Sequence, residues 1–94
     1  MLEFEEQRLK LQGYTKELDD LKDAIGYNEL KNEIADLEQK AAEDGFWDNV
    51  EASQKLLQKT AQLKDKVAAY DALAASYEDT LTLIELADEE EDLS

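Results

Sequence analysis

Apolar residues recur every seven positions in this chain, over long stretches that no proline interrupts. Phe4, Leu11, Leu18 and Ile25 form one such row, and Leu56, Leu63, Tyr70, Tyr77 and Ile84 another. A seven-residue repeat returns to one face of an α-helix every two turns, so it predicts helices lying lengthwise on one another. A second row runs beside each. Tyr14 and Leu21, with Gln7 in the remaining place, flank the first, and Thr60, Val67, Ala74 and Leu81 flank the other. Between them Tyr27, Leu30, Ile34, Leu37 and Ala41 are spaced by three and four, the mark of a shorter amphipathic helix.

Two glycines punctuate the pattern. Gly26 follows the last residue of the first row and Gly45 follows the second helix, each where a left-handed cap is expected. Asn28 reads as the N-cap of the second helix. In Asp48-Asn49-Val50-Glu51, Asp48 and Glu51 have the spacing of a capping box that opens the third. The expected helices are residues 2–25, 28–43 and 49–88, with an acidic tail over 88–94. Gly13 interrupts the first at a cost of about 1 kcal/mol relative to Ala. Glu6–Lys10, Asp36–Lys40 and Glu51–Lys55 add i,i+4 support. The fold class is all-α: a single domain over 1–94, an antiparallel helical bundle or coiled-coil-like hairpin of three helices, the third long. The short connections predict consecutive helices running antiparallel. The first two helices are expected to be too short to cover the third, so part of the third should project.

Composition narrows the chemistry. Cys and His are both absent, which removes thiolate nucleophiles, disulfides, the usual neutral-pH proton shuttle and the commonest metal ligands. No glycine loop is present to cradle a phosphate. The acidic run Asp88-Glu89-Glu90-Glu91-Asp92 lacks the spacing and the turning glycine of a calcium loop. No catalytic residue, cofactor or metal site is therefore expected, and the chain reads as a non-enzyme. No apolar stretch approaches a membrane span, and no basic, apolar leader is visible; the plain expectation is a soluble cytoplasmic protein.

The net charge is −15, and from Val67 to Ser94 there are nine acidic residues and no Lys or Arg. Such a surface is repelled by nucleic-acid backbones, so protein partners are expected over nucleic acid. Phe46 and Trp47 are the most distinctive pair. As exposed residues they could anchor a partner. The preferred reading is a hydrophobic lid on the end of the bundle, with Trp47 against Ala52. Tyr14, Tyr70 and Tyr77 are assigned to core or half-buried packing. The isolated Leu93 suggests the start of a further helix.

The stretch from Tyr27-Asn28-Glu29-Leu30-Lys31 through Leu37-Glu38, followed by Gly45-Phe46-Trp47-Asp48-Asn49, resembles the N-terminal domain of the bacterial peptide chain release factor 2 family. There a short helix, a Phe-Trp-Asp turn and a long helix lead to a leucine-rich stretch and an acidic break, matched here by Leu81 to Asp92. The resemblance covers essentially the whole chain. It implies a helical arm held apart from the decoding core. The implied partners are the ribosome, through ribosomal proteins near the factor-binding stalk base, and the rest of the factor chain. Little direct nucleic-acid contact by this segment is implied. The family's stop-codon-reading Ser-Pro-Phe and its peptidyl-tRNA-hydrolysing Gly-Gly-Gln motif occur nowhere in this sequence, so no residue of either can be carried over. The family's final first-domain helix is expected to begin about where this chain reaches Ser94. A second reading rests on the sustained heptads and on a long helix expected to be left partly uncovered: a free-standing coiled-coil adaptor or assembly protein, prone to weak self-association through apolar surface that the missing last helix would expose.

Overall fold

A computed structural model describes the backbone of residues 2–93 and the side chains of residues 5–90. Phe4 and Leu93 therefore lie outside the described side chains. Three α-helices and one short 3-10 turn make up the fold: α1 (Leu2–Ile25), α2 (Tyr27–Ala41), the turn (Phe46–Asp48) and α3 (Val50–Leu93).

The helices form a rod 67 × 24 × 15 Å. Its radius of gyration is 20.3 Å, against roughly 12 Å for a compact domain of this length. A helix of 44 residues is about 66 Å long at 1.5 Å per residue, so α3 alone sets the length. The other two dimensions leave room for two helices side by side, not three. Cross-contacts show how the remaining residues are arranged. Arg8 pairs with Asp88, Thr15 with Tyr77, Tyr27 with Asp71, and Phe46 with Ser53. As the first partner advances along the chain the second retreats steadily. α1 and α2 therefore run in the same sense, end to end, both antiparallel to α3.

This corrects the expected reversal at Gly26. A single residue separates α1 from α2, too short a link to fold one helix back on the other. Gly26 sits at φ 68°, ψ 47°, donates its N–H to the Asp23 carbonyl at 3.0 Å, and accepts from the Leu30 N–H at 2.8 Å. It ends one helix and begins the next, a kink in one arm of a hairpin. Laid end to end, α1 and α2 span nearly all of α3, so no bare length of it projects as expected.

The core is a single seam. The inward residues of α3 include Ser53, Leu56, Thr60, Leu63, Val67, Tyr70, Ala74, Tyr77, Leu81 and Ile84, the two rows read from the sequence with one residue added. Leu63 and Ile84 are its most buried apolar side chains and Ser53 and Thr60 its most buried polar ones. Thr60 satisfies its hydroxyl on the Leu56 carbonyl at 2.8 Å. The Ser53 hydroxyl reaches the carbonyls of Asn49 and Phe46, pinning the 3-10 turn to the first turn of α3. Exposed ion pairs Glu33–Lys59 (3.5 Å) and Glu38–Lys64 (3.3 Å) cross between α2 and α3 and add little each. Of the i,i+4 pairs, Glu51–Lys55 closes at 3.4 Å.

Where a helix ends differs from the sequence expectation in two places. α2 stops at Ala41, and the chain unwinds through Ala42, Glu43 and Phe46 backbone bonds before the 3-10 turn. α3 does not break at the acidic run but continues to Leu93. Glu is a good helix former, and half-buried Asp88 is held by Arg8 of α1 at 3.6 Å. That pair ties the acidic end to its partner helix.

Candidate functional site

No three acids come together as metal ligands among the described residues. Among them, too, no helix is long and apolar enough to cross a membrane. What the structure offers instead is surface, in three places along the rod.

The first is the tip where α2 turns into α3. Gly45 takes φ 82° there, and its N-terminal neighbours have already left the helix. The cap of α3 falls on Asn49, not Asp48: α3 begins at Val50, and the Asn49 Oδ1 accepts from the Ala52 N–H at 3.1 Å. Asp48 belongs to the 3-10 turn, where its own N–H donates to the Gly45 carbonyl. With the cap one residue later, Glu51 is no longer at the third helical position, so the reciprocal box cannot close. Asn28 is displaced in the same way, because Gly26 already serves as the N-cap of α2. Phe46 is half-buried and plugs the end of the seam, but Trp47 does not join it. Trp47 is 60% exposed, with only an edge-to-face contact to Phe46 at 4.9 Å. In a 3-10 turn successive side chains point about 120° apart, so two adjacent aromatics cannot both face the same helix pair. Val50, also exposed, continues the apolar tip.

The second place is the joint. Tyr27 is gripped by all three helices: Tyr70 of α3 meets it edge-on at 5.3 Å, Lys22 of α1 lies 4.9 Å from the ring centroid, and Lys31 of α2 lies 5.5 Å away. Its hydroxyl donates to Asp71 Oδ1 at 2.8 Å. That hydrogen bond first, then loss of hydration, then the carboxylate's charge, raise the Tyr27 pKa above the ordinary phenol value. The neutral phenol is the form that donates, so this interaction supports the fold below the phenol range near pH ~10 and is lost as pH rises through the raised value. A titration of tyrosinate absorbance should show a phenol ionising above the ordinary phenol range, and Asp71→Asn should remove that late phase. A late phase that survives the substitution assigns it to another tyrosine.

The third place is a groove between α1 and the C-terminal half of α3. Its volume is about 440 Å³, and Leu11, Tyr14, Leu18, Leu21, Leu73 and Tyr77 supply its apolar lining. Tyr14 is 50% exposed and Leu73 49%. Tyr70 and Tyr77 pack half-buried in the seam as expected, but Tyr14 and Leu21 do not. They stand on the side of α1 that a two-helix rod leaves uncovered. Sequence reasoning expected uncovered apolar surface but did not place it at Tyr14 and Leu21, because a seven-residue row shows which residues share a face, not whether a neighbour covers it.

No protein-family model matches the chain, and no solved structure matches it. Its sequence is similar to peptide chain release factor 2 of several bacteria. The relative from Exiguobacterium is 33% identical over 91 residues, 97% of this chain and 25% of that protein. The Streptomyces avermitilis factor is 31% identical over 83 residues, 88% of this chain and 23% of the relative. The Clostridium perfringens factor is 30% identical over 92 residues, 98% and 25% respectively. The chain thus spans about a quarter of the length of the relatives it matches, and the match runs nearly end to end, in keeping with the resemblance to the factor's N-terminal domain.

Proposed function

We propose that this chain is a docking arm of a peptide chain release factor, used in translation termination in the cytoplasm and without catalytic activity of its own. The carrying observation is the similarity to release factor 2 along nearly all of the chain. The structure is consistent with an arm: a thin rod 67 Å long with its polar faces in solvent and no enclosed site among the described residues. The proposed domain is one helical unit over 1–94, and the proposed contacts are ribosomal proteins near the stalk base and the rest of a factor chain. The acidic surface supports protein contact over RNA contact.

The test is ribosome co-sedimentation beside a peptide-release assay on stalled complexes. The chain should pellet weakly with ribosomes, less so as salt rises, and release no peptide on any codon. Codon-dependent release by this chain alone would overturn the non-catalytic reading, and absence from the pellet at low salt would overturn docking. The uncovered groove favours a second reading, a free-standing coiled-coil adaptor. A dimer persisting at low micromolar concentration in sedimentation would select it over the arm.

A further inference from the structure

The turn between α2 and α3 displays an indole on a rigid mount. Trp47 is 60% exposed, and on the first turns of α3 Val50 and Leu57, seven residues apart on one face, are 56% and 40% exposed. The backbone beneath Trp47 is nonetheless pinned. Phe46 plugs the end of the seam, and its N–H donates to the Glu43 carbonyl at 3.2 Å. The Asp48 N–H donates to the Gly45 carbonyl at 3.0 Å, and Asn49 Oδ1 accepts from the Ala52 N–H at 3.1 Å. Below them Ser53, only 2% exposed, points its hydroxyl at the Phe46 and Asn49 carbonyls. Trp47 is therefore held in place before any partner arrives, and ordering the turn adds little to the cost of binding. The tip stands apart from the groove. Along α3, Val50 is about 35 Å from Leu73 and about 64 Å from Leu93.

Charge selects the occupant. Glu43, Asp44, Asp48 and Glu51 are all exposed, and no Lys or Arg stands between Lys40 and Lys55. Lys55 reaches Glu51 at 3.4 Å, whereas Glu43, Asp44 and Asp48 form no ion pair among the described residues. Nucleic acid and anionic lipid are repelled by these carboxylates, and a second copy of the chain brings the same acids. A guanidinium answers both features of the tip. Its plane stacks on an indole face, and its forked N–H groups pair with carboxylates. We propose that the tip receives an arginine-bearing segment of a protein partner. The guanidinium lies on the Trp47 indole and donates to Asp44 and Asp48, and apolar neighbours of that arginine cover Val50 and Leu57. This goes beyond the docking-arm reading, which names no surface, and rests on the geometry and charge of the tip alone.

The test uses the full chain and a synthetic peptide in which arginines alternate with leucines. Peptides with Lys or Glu in place of every Arg are the controls. Titration followed by backbone amide NMR should move the signals of Phe46, Trp47, Asn49 and Val50 and leave those of Leu18 and Tyr77 unmoved. The Lys peptide should bind several times more weakly than the Arg peptide, because an ammonium has no plane to stack, and the Glu peptide should not bind. Trp47→Ala alters an exposed side chain, so its helix content by circular dichroism matches the parent, and it should bind the Arg peptide at least about tenfold more weakly. Asp44→Asn with Asp48→Asn keeps the shape of the tip and should weaken binding several-fold, while Leu73→Gln should bind as the parent. The proposal is overturned by no binding of the Arg peptide, by equal binding of the Lys peptide, or by indifference to Trp47→Ala or to the paired Asn variant. It is also overturned by a dimer of the chain that Trp47→Ala dissolves, which would make a second copy the occupant. Ribosome pelleting of the parent chain is a separate readout: if it persists while peptide binding fails, the arginine site is lost and the docking-arm reading stands.

Discussion

Leu63→Ala will lower the unfolding free energy by about 2–3 kcal/mol, and Leu83→Ala, the same change in the same helix, will alter it by less than about 0.5 kcal/mol. Leu63 is 7% exposed and lies in the seam between α3 and α2, whereas Leu83 is 67% exposed. The lower part of the usual Leu→Ala range is expected for Leu63, because a seam one side chain deep lets its neighbours settle into the space. That loss is still a large share of the whole, since a thin domain of this size sits near the low end of roughly 5 kcal/mol. Urea unfolding followed by circular dichroism measures both variants, with the midpoint shifting at constant slope. Equal losses at the two positions would mean that Leu83 is packed in solution and that the two-helix rod is wrong. An unchanged midpoint for Leu63→Ala would mean that the seam does not hold the rod together.

The contrast between those leucines marks where the sequence was legible. Helix class, the three segments and both inward rows of α3 follow from periodicity, because burial repeats with the helix turn. Direction does not. The rows of α1 and α2 look the same whether Gly26 reverses the chain or merely kinks it. Only the length of the joint decides, and a glycine at a helix end is easily read as a full turn. The α3 wall of the groove was hidden for a different reason. Ser76 and Thr80 carry little hydropathy, so Leu73 stands out singly and looks like an ordinary exposed leucine. At the tip, Phe46 and Trp47 are equally apolar in sequence, and the 3-10 geometry that separates them is set by where Asn49 begins α3. The cap of α3 falls one residue after Asp48 and that of α2 two residues before Asn28, because Asn49 and the αL Gly26 compete with them for the same role.

The kink can be tested with one substitution made twice. Gly13→Ala will stabilise the chain by about 1 kcal/mol, and Gly26→Ala will destabilise it by about 1–2 kcal/mol. Gly13 lies inside α1, and a Cβ added there meets nothing within 4 Å, so the change only removes backbone freedom from the unfolded chain and adds a better helix former. Gly26 sits at φ +68°, a conformation that costs an L-residue dearly, and an added Cβ comes within 3.1 Å of Glu29 Oε2. The carboxylate can swing aside, so the backbone term dominates. The double variant Gly26→Ala, Glu29→Ala should then recover little of the loss. The two single variants should melt on the order of 10 °C apart, on the scale expected for a domain of this size. D-alanine placed at position 26 by synthesis favours the positive φ and should restore or exceed the parent stability. If L-alanine at position 26 instead stabilises as it does at 13, α1 and α2 are one continuous helix in solution. Tyr27 would then no longer be held by the kink between Lys22, Lys31 and Tyr70, and the late-titrating phenol should vanish in the same variant.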